Sequence, residues 1–166
     1  MIVKMPKVPE LPPLPPKPTV SLTSLTPVEA RTGYGKVMTN TSVEGKPLTL
    51  GGTVYTNGLG VHAESTLVYE VKPEYRRFVA VAGIDDEKKD SVASVVFKVI
   101  AEMDGQTKEL AASPKLRAQR QPARWHFDVA IPGQCKRLRL VVEDAGDGIN
   151  SDHADWVDAG FVTGKR

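Results

Sequence analysis

The sequence lacks cysteine pairs, long apolar runs and a strong excess of either charge, and each absence excludes a class of protein. Cys135 is the single cysteine in 166 residues, so the chain cannot form an internal disulfide. No run approaches the roughly 20 apolar residues that cross a bilayer as a helix. The 22 basic and 20 acidic residues leave a net charge of +2, too small to favour nucleic acid or an anionic membrane as a partner.

Catalytic motifs and a secretion signal are also missing. The sequence contains no G-x-S-x-G, no H-E-x-x-H and no phosphate-binding loop, and its length leaves room for one domain of ordinary size. We therefore predict a protein that is not an enzyme. The stretch from Met1 to Pro6 is too short and too interrupted by proline to form the core of a signal peptide, so export would need a signal that has been removed or lies upstream in a larger chain.

Proline dominates the N-terminal stretch, which reads P-K-V-P-E-L-P-P-L-P-P-K-P over residues 6–18. Such a composition cannot bury a core and favours extended polyproline II structure. We predict a proline-rich arm or linker over residues 1–19 and a folded domain over residues 20–166.

Short runs of valine, leucine and aromatic residues, bounded by glycine, proline and aspartate, follow the arm. Period-two alternation runs over residues 67–71, 78–82, 125–129 and 138–142, and Asp104-Gly105 separates two further runs as in a hairpin. No helical periodicity intervenes. About eight such strands predict an all-β fold, an antiparallel β-sandwich or jelly roll.

A dense cluster of polar residues lies between Val142 and Ala159, in V-E-D-A-G-D-G-I-N-S-D-H-A-D-W-V-D-A, and a second acidic run begins at Asp85. Carboxylate oxygens suit calcium, and crowded like charges need a cation or hydrogen-bond donors to offset them. The spacing is not that of an EF-hand, and Asp and Asn beside Gly also serve tight turns, so a calcium site and a structural turn both stay open. The candidate calcium ligands are Asp85, Asp86, Asp144, Asp147 and Asp155.

Two large rings and two histidines accompany these acidic segments. Trp156 and Tyr34 are amphipathic rings that can lie flat on the apolar face of a sugar while nearby polar groups bind its hydroxyls. The alternative for Trp156 is a place in the core, because it begins the last predicted strand. His62 follows a glycine pair that permits close approach of another segment or a ligand. His62 and His153 can equally be structural residues bonded to a carboxylate or a carbonyl.

Four segments together resemble one family, the NPCBM family, also called carbohydrate-binding module family 51. They are G-L-G-V-H-A at 58–63, R-F-V-A-V-A-G-I-D-D-E at 77–87, S-V-V-F-K-V at 94–99 and L-R-L-V-V-E-D-A-G-D-G-I-N-S-D-H-A-D-W-V-D-A at 138–159. Their order and spacing fit over roughly residues 20–163. Two features depart from the family pattern: Tyr34 stands where a tryptophan is expected, and residues 109–124 are longer and more basic than usual.

The resemblance implies a β-sandwich similar to galactose-binding, discoidin-like domains, found mostly attached to secreted bacterial glycoside hydrolases. It implies a non-catalytic module, secreted or extracytoplasmic, that binds terminal galactose-containing glycans with the assistance of calcium. We expect the sugar contacts at one edge of the sandwich, from Tyr34, His62, Asn150, Asp152, His153 and Trp156. The alternative is a structural subunit whose sandwich and proline-rich arm dock onto a larger protein assembly.

Overall fold

The computed structural model describes residues 9–118, 120–145 and 152–164. Within them the regular secondary structure consists of strands and two short 3-10 helices, Leu22–Ser24 and Asp86–Lys88. No helix in this described part is long and apolar enough to cross a membrane. The strands are β1 (Val20–Ser21), β2 (Glu29–Arg31), β3 (Met38–Thr39), β4 (Leu48–Leu50), β5 (Thr53–Tyr55), β6 (Gly58–His62), β7 (Ser65–Glu70), β8 (Tyr75–Ile84), β9 (Ser94–Met103), β10 (Gln106–Ala112), β11 (Leu116–Arg117), β12 (Arg124–Ala130), β13 (Arg137–Asp144) and β14 (His153–Thr163).

Two six-stranded antiparallel sheets form the sandwich. The first sheet has the order β12-β8-β14-β6-β3, with β1 paired to β14, and the second has the order β10-β9-β13-β7-β2, with β11 paired to β9. The predicted hairpin at Asp104-Gly105 joins β9 to β10, where Met103 pairs with Gln106 and Gly105 has a φ of 74°. The predicted all-β antiparallel fold is confirmed.

Aromatic side chains join the two sheets in the core. The indole of Trp156 on β14 is 0 % exposed. Its ring centroid lies 5.0 Å from that of Phe97 on the opposite sheet, and 5.7 Å and 6.1 Å from those of Phe127 and Phe78 on its own sheet. Large aromatic rings bury more apolar area than other side chains, so this cluster makes a large contribution to holding the layers together.

The outer face of the first sheet is also covered, by the hairpin of β4 and β5. Leu48 and Leu50 of this hairpin are fully buried against Val81 on β8 and Val157 on β14. Both of these strands are therefore buried on two faces in this region. That explains why residues 78–84 are uniformly apolar or small instead of alternating with polar residues.

Part of the proline-rich segment lies on its own domain. Pro12, Pro13 and Leu14 line a cavity together with Trp125 and Phe127 of β12. The carbonyl of Pro12 accepts a hydrogen bond from His126 Nδ1, at 2.8 Å. Residues 9–18 form no helix or strand. The division at residues 19 and 20 between an arm and a domain stays a prediction.

Candidate functional site

Three of the predicted site residues meet at one end of the first sheet. His62 on β6 and His153 on β14 are register partners whose ring centroids lie 5.1 Å apart. The Tyr34 ring centroid lies 5.6 Å from that of His62 and 6.3 Å from that of His153, at 20° to the latter ring. Tyr34 is 58 % exposed, whereas His62 and His153 are 6 % and 4 % exposed. An exposed phenol ring therefore covers two buried imidazoles.

The turn that carries Tyr34 is fixed to strand β6 by hydrogen bonds. The His62 N–H donates to Thr32 Oγ1 at 2.8 Å, and the Gly33 N–H donates to the His62 carbonyl at 2.9 Å. A Cβ on Gly33 would lie 2.8 Å from the Ala63 carbonyl carbon, closer than real Cβ contacts. Glycine is thus needed here for the close approach that holds the Tyr34 ring over the histidines.

A buried carboxylate orients the His153 ring. His153 Nδ1 donates to Glu87 Oε1 at 2.8 Å, and Ser42 Oγ donates to Glu87 Oε2 at 2.9 Å. The predicted close approach beside the glycine pair is found, because a Cβ on Gly60 would lie 2.6 Å from the Ser42 carbonyl carbon. With Nδ1 committed to Glu87, the Nε2 atom of His153 faces Glu44 Oε1, 3.9 Å away.

The electrostatics of the site favour a neutral His62. The pKa of His62 is lowered, mainly because the ring is buried. The hydrogen bond to the Ala63 carbonyl opposes this change, and the nearby His153 and Lys88 add to it. The Nδ1 atom lies 2.6 Å from that carbonyl and donates to it, so Nε2 is left as an acceptor. A neutral imidazole of this tautomer can accept a hydrogen bond from a hydroxyl group.

An open depression adjoins Tyr34. Its walls combine apolar side chains with charged ones, and they are formed by Tyr34, Gly35, Lys36, Met38, Val43, Glu44, Gly45 and Lys46. A sugar ring presents a similar mixture of apolar C–H groups and hydroxyls, so the chemistry of these walls suits a monosaccharide.

Sequence reasoning missed two acidic residues at this site. Glu87 ends the acidic run that begins at Asp85, so the sequence offers a sign of it, but only the aspartates of that run are predicted as ligands. Glu44 lies in an ordinary turn sequence, and its place beside His153 depends on a contact between segments more than 100 residues apart. No local pattern predicts such a contact.

Two predicted sugar contacts are placed where a sugar cannot reach them. Trp156 fills the core, which corrects its assignment as a sugar platform and favours the alternative of a core residue. Asp152 is 1 % exposed, and its Oδ1 accepts a hydrogen bond from the Ser94 N–H at 3.1 Å. Its carboxylate therefore joins strands and does not face solvent. The remaining candidate, Asn150, lies outside the described residues.

The candidate calcium ligands make different contacts. Asp85 accepts from the Thr49 and Glu87 N–H groups, and both oxygens of Asp86 accept from the Gly51 and Gly52 N–H groups. These bonds close the loop after β8 over the β4–β5 hairpin. Among the described His, Cys, Asp and Glu side chains, the group of three whose ligand atoms lie within 4.8 Å of one another is Glu44, Glu87 and His153, not the aspartates.

Asp155 is the exception that fits a cation. Its two carboxyl oxygens are buried and accept no hydrogen bond from donors in the described part of the chain. Burial, followed by the adjacent Asp85 carboxyl, raises the pKa of Asp155 well above its ordinary value. Such a pair requires either a shared proton or a cation. Asp144 ends strand β13, and Asp147 lies outside the described residues, so a calcium site stays a prediction.

The fold is similar to that of solved carbohydrate-binding modules. The chain belongs to the NPCBM/NEW2 domain family, whose model matches residues 18–162, and the resemblance predicted from the sequence is thereby confirmed. A similar solved structure is that of CBM51 from Clostridium perfringens GH95 in complex with methyl-galactose. It has a TM-score of 0.76 and 33 % identity, and the match covers 86 % of this chain and 99 % of that chain.

Two further relatives show the setting in which such modules occur. CBM51-2 of Clostridium perfringens ZmpB, in a structure with INT domains and GlcNAc, has a TM-score of 0.74 and 33 % identity over 85 % of this chain and 30 % of that chain. Alpha-1,3-galactosidase B of Akkermansia muciniphila is 32 % identical over 131 residues, which are 78 % of this chain and 16 % of that protein. The chain spans only 7 % and 16 % of the lengths of two curated relatives that it matches.

Proposed function

We propose that this chain is a non-catalytic carbohydrate-binding module that binds a terminal galactose-type sugar at the surface formed by Tyr34, His62 and His153. The Tyr34 ring provides a stacking face for the apolar side of the sugar. The carboxylate of Glu44 accepts hydrogen bonds from its hydroxyls, and Lys36 and Lys46 donate to its oxygens. The buried His62 and His153 hold the Tyr34 ring in place.

The observation that carries the proposal is the exposed Tyr34 ring held at 5.6 Å and 6.3 Å over two oriented imidazoles, beside an open depression. The match to a module solved with methyl-galactose supports galactose as the first sugar to test, and the match to a module solved with GlcNAc makes that sugar the second.

The proposed binding is weak for one site and depends on attachment for its use. A millimolar dissociation constant corresponds to only about 4 kcal/mol, so retention on a glycan surface needs tethering or several copies. We propose that the module works outside the cytoplasm as part of a larger glycan-processing protein. The similarity to a segment of a galactosidase supports this role.

Titration calorimetry with methyl-galactoside and GlcNAc tests the proposal, with Tyr34→Ala as the decisive variant. We expect binding of the wild-type chain to weaken by about tenfold or more in Tyr34→Ala, because the stacking face is lost, equivalent to about 1.4 kcal/mol. Since Tyr34 is mostly exposed, the melting temperature should change little. Tyr34→Phe keeps the ring and should retain most of the affinity.

Trp156→Phe is the matched control at the other aromatic candidate. It should lower the stability by about 1–3 kcal/mol through the cavity it leaves, yet leave the affinity of the folded chain unchanged, because Trp156 is in the core. A wild-type chain that binds neither sugar would overturn the proposal. A fixed protein partner recovered with such a chain would favour the structural-subunit role instead.

A further inference from the structure

A second cavity lies beside strand β11, at the end of the sandwich that carries the Tyr34 site. Its volume is about 260 Å³, and its walls include Ser91, Val92 and Ser94 on one side and Arg117 and Arg120 on the other. Pockets for drug-sized ligands measure about 300–1,000 Å³. This smaller cavity therefore suits a single charged group or one sugar unit.

The walls of the cavity carry two exposed arginines, Arg117 and Arg120. Residues 110–127 contain four basic side chains, those of Lys115, Arg117, Arg120 and Arg124, and no Asp or Glu. The guanidinium groups of Arg117 and Arg120 are exposed, and neither forms an ion pair with a carboxylate in the described part of the chain. Guanidinium groups bind sulfate and carboxylate groups through paired N–H donors.

Backbone contacts hold the two walls in place. Arg117 pairs with Ser94 across β11 and β9, and the Ala118 N–H donates to the Ala93 carbonyl at 3.0 Å. Ser91 Oγ donates to the Lys88 carbonyl at 2.6 Å and accepts from the Ala93 N–H at 3.1 Å. The cavity is thus built on strand pairing and a closed turn, so little ordering is required when an anion binds.

Asp152 connects this cavity to the Tyr34 site. Its Oδ1 accepts from the Ser94 N–H at 3.1 Å, on the cavity side, and its carbonyl accepts from the Ala63 N–H at 3.1 Å, next to His62. A single residue therefore separates the wall of the cavity from the histidines of the sugar site. The cavity and the Tyr34 site therefore lie at the same end of the sandwich.

We propose that this cavity is an anion subsite, which takes the sulfate or carboxylate group of an acidic glycan through Arg117 and Arg120. The proposal rests on the proposed sugar binding at Tyr34 and specifies the class of glycan. The basic segment that departs from the family pattern then has a role in specificity.

Calorimetry with three kinds of ligand tests the subsite: lactose as the neutral probe, galactosides sulfated at position 3 or 6, and sialyllactose as the carboxylate probe. We expect at least one acidic probe to bind about tenfold tighter than lactose at low salt, and the gain to shrink as salt screens the charges. In Arg117→Gln/Arg120→Gln that gain should be lost, while lactose binds as before. Whichever acidic probe shows the gain identifies the anion.

Arg77→Gln/Arg137→Gln is the matched control, because it removes the same charge at the opposite end of the sandwich. It should keep the preference for the acidic probe. An equal loss in both double variants, or acidic probes that bind no tighter than lactose, would overturn the subsite and leave the neutral site standing. If the chain binds an acidic probe through Arg117 but does not bind lactose, the anion subsite is supported and the neutral sugar site is overturned. Binding of no probe would overturn both.

Discussion

Asp155 is a carboxyl group placed where no solvent reaches it. It is 0 % exposed and lies against Asp85, whose oxygens already accept the Thr49 and Glu87 N–H groups. Burial is the first cause that raises the pKa of Asp155, followed by the hydrogen bond and charge of Asp85 and by the charges of Glu87 and Asp86. In the absence of a cation, Asp155 therefore carries the proton that the pair shares.

Asp155→Asn should flatten the dependence of stability on pH. The native state keeps a proton that the unfolded chain releases above an ordinary Asp pKa of about 3.9. Stability is thus fully present below that pH and is lost as pH rises toward the pKa of the folded state. Asparagine keeps a donor toward Asp85 without titrating, so at about pH 8 we expect the variant to be more stable than wild type by roughly 1–3 kcal/mol.

Urea unfolding at several pH values between about 4 and 8, in the presence of a chelator, measures this effect. Asp104→Asn is the control, because it makes the same substitution at an exposed turn where asparagine before glycine is tolerated. Parallel stability curves for wild type and Asp155→Asn would contradict a proton shared with Asp85.

The proline-rich segment next to β12 should contribute to stability as an element, although its composition suggests a free linker. β12 is an edge strand of the first sheet, and Pro12 to Leu14 lie beside it. Deletion of residues 1–15 should lower the unfolding free energy by about 1–2 kcal/mol, since a hydrogen bond contributes about 0.5–1.5 kcal/mol and apolar cover is lost as well. Thermal or urea unfolding measures the loss.

A double-mutant cycle with His126→Ala separates this contact from other effects of the deletion. If the contact between Pro12 and His126 is formed, His126→Ala costs less in the shortened chain than in the full chain, because its partner is already absent. Equal costs in the two chains would show that the segment does not stabilise β12.

The strands that could be predicted from the sequence are the long ones. β12 and β13 are long enough to display alternation, and the Asp-Gly turn fixes the hairpin of β9 and β10. β8 is recognisable as a long apolar run, although the alternation predicted over residues 78–82 is not found because the strand is buried on both faces. Strands of two or three residues, such as β1, β3 and β11, have no readable period. They exist because neighbouring strands offer backbone partners, which is information that local sequence does not contain.

Residues of the site could likewise be predicted where the local sequence marks them, and not where only the tertiary fold brings them together. Tyr34, His62 and His153 were found through residue type and family resemblance, and the structure brings them together. Glu44 was missed because only the tertiary fold brings it to His153. Trp156 was ambiguous because β14 is buried on both faces, so alternation along that strand could not show which way the ring points.

At the scale of the whole molecule, one end of the sandwich gathers the loop after β8, the start of β14 and the Tyr34 turn. The His153 carbonyl accepts from the Asp85 N–H at 3.0 Å, so the two acidic segments are joined directly at this end. A cation bound there would link the sheet, the 3-10 helix Asp86–Lys88 and the sugar site, and only the folded chain would present all of its ligands.

We therefore expect calcium to raise the melting temperature and a chelator to lower it. A ligand that binds only the native state stabilises it by about 2.7 kcal/mol at a hundredfold excess over its dissociation constant, equivalent to roughly 5–10 °C for a chain of this size. Magnesium is the control, since it demands a smaller, octahedral set of ligands and should give a smaller shift. Because both carboxyl oxygens of Asp155 are buried without a donor in the described part of the chain, Asp155→Asn should abolish the calcium shift. Equal melting temperatures of the wild-type chain in calcium and in chelator would contradict a calcium site here. The repulsion between Asp85 and Asp155 would then be relieved by the proton on Asp155.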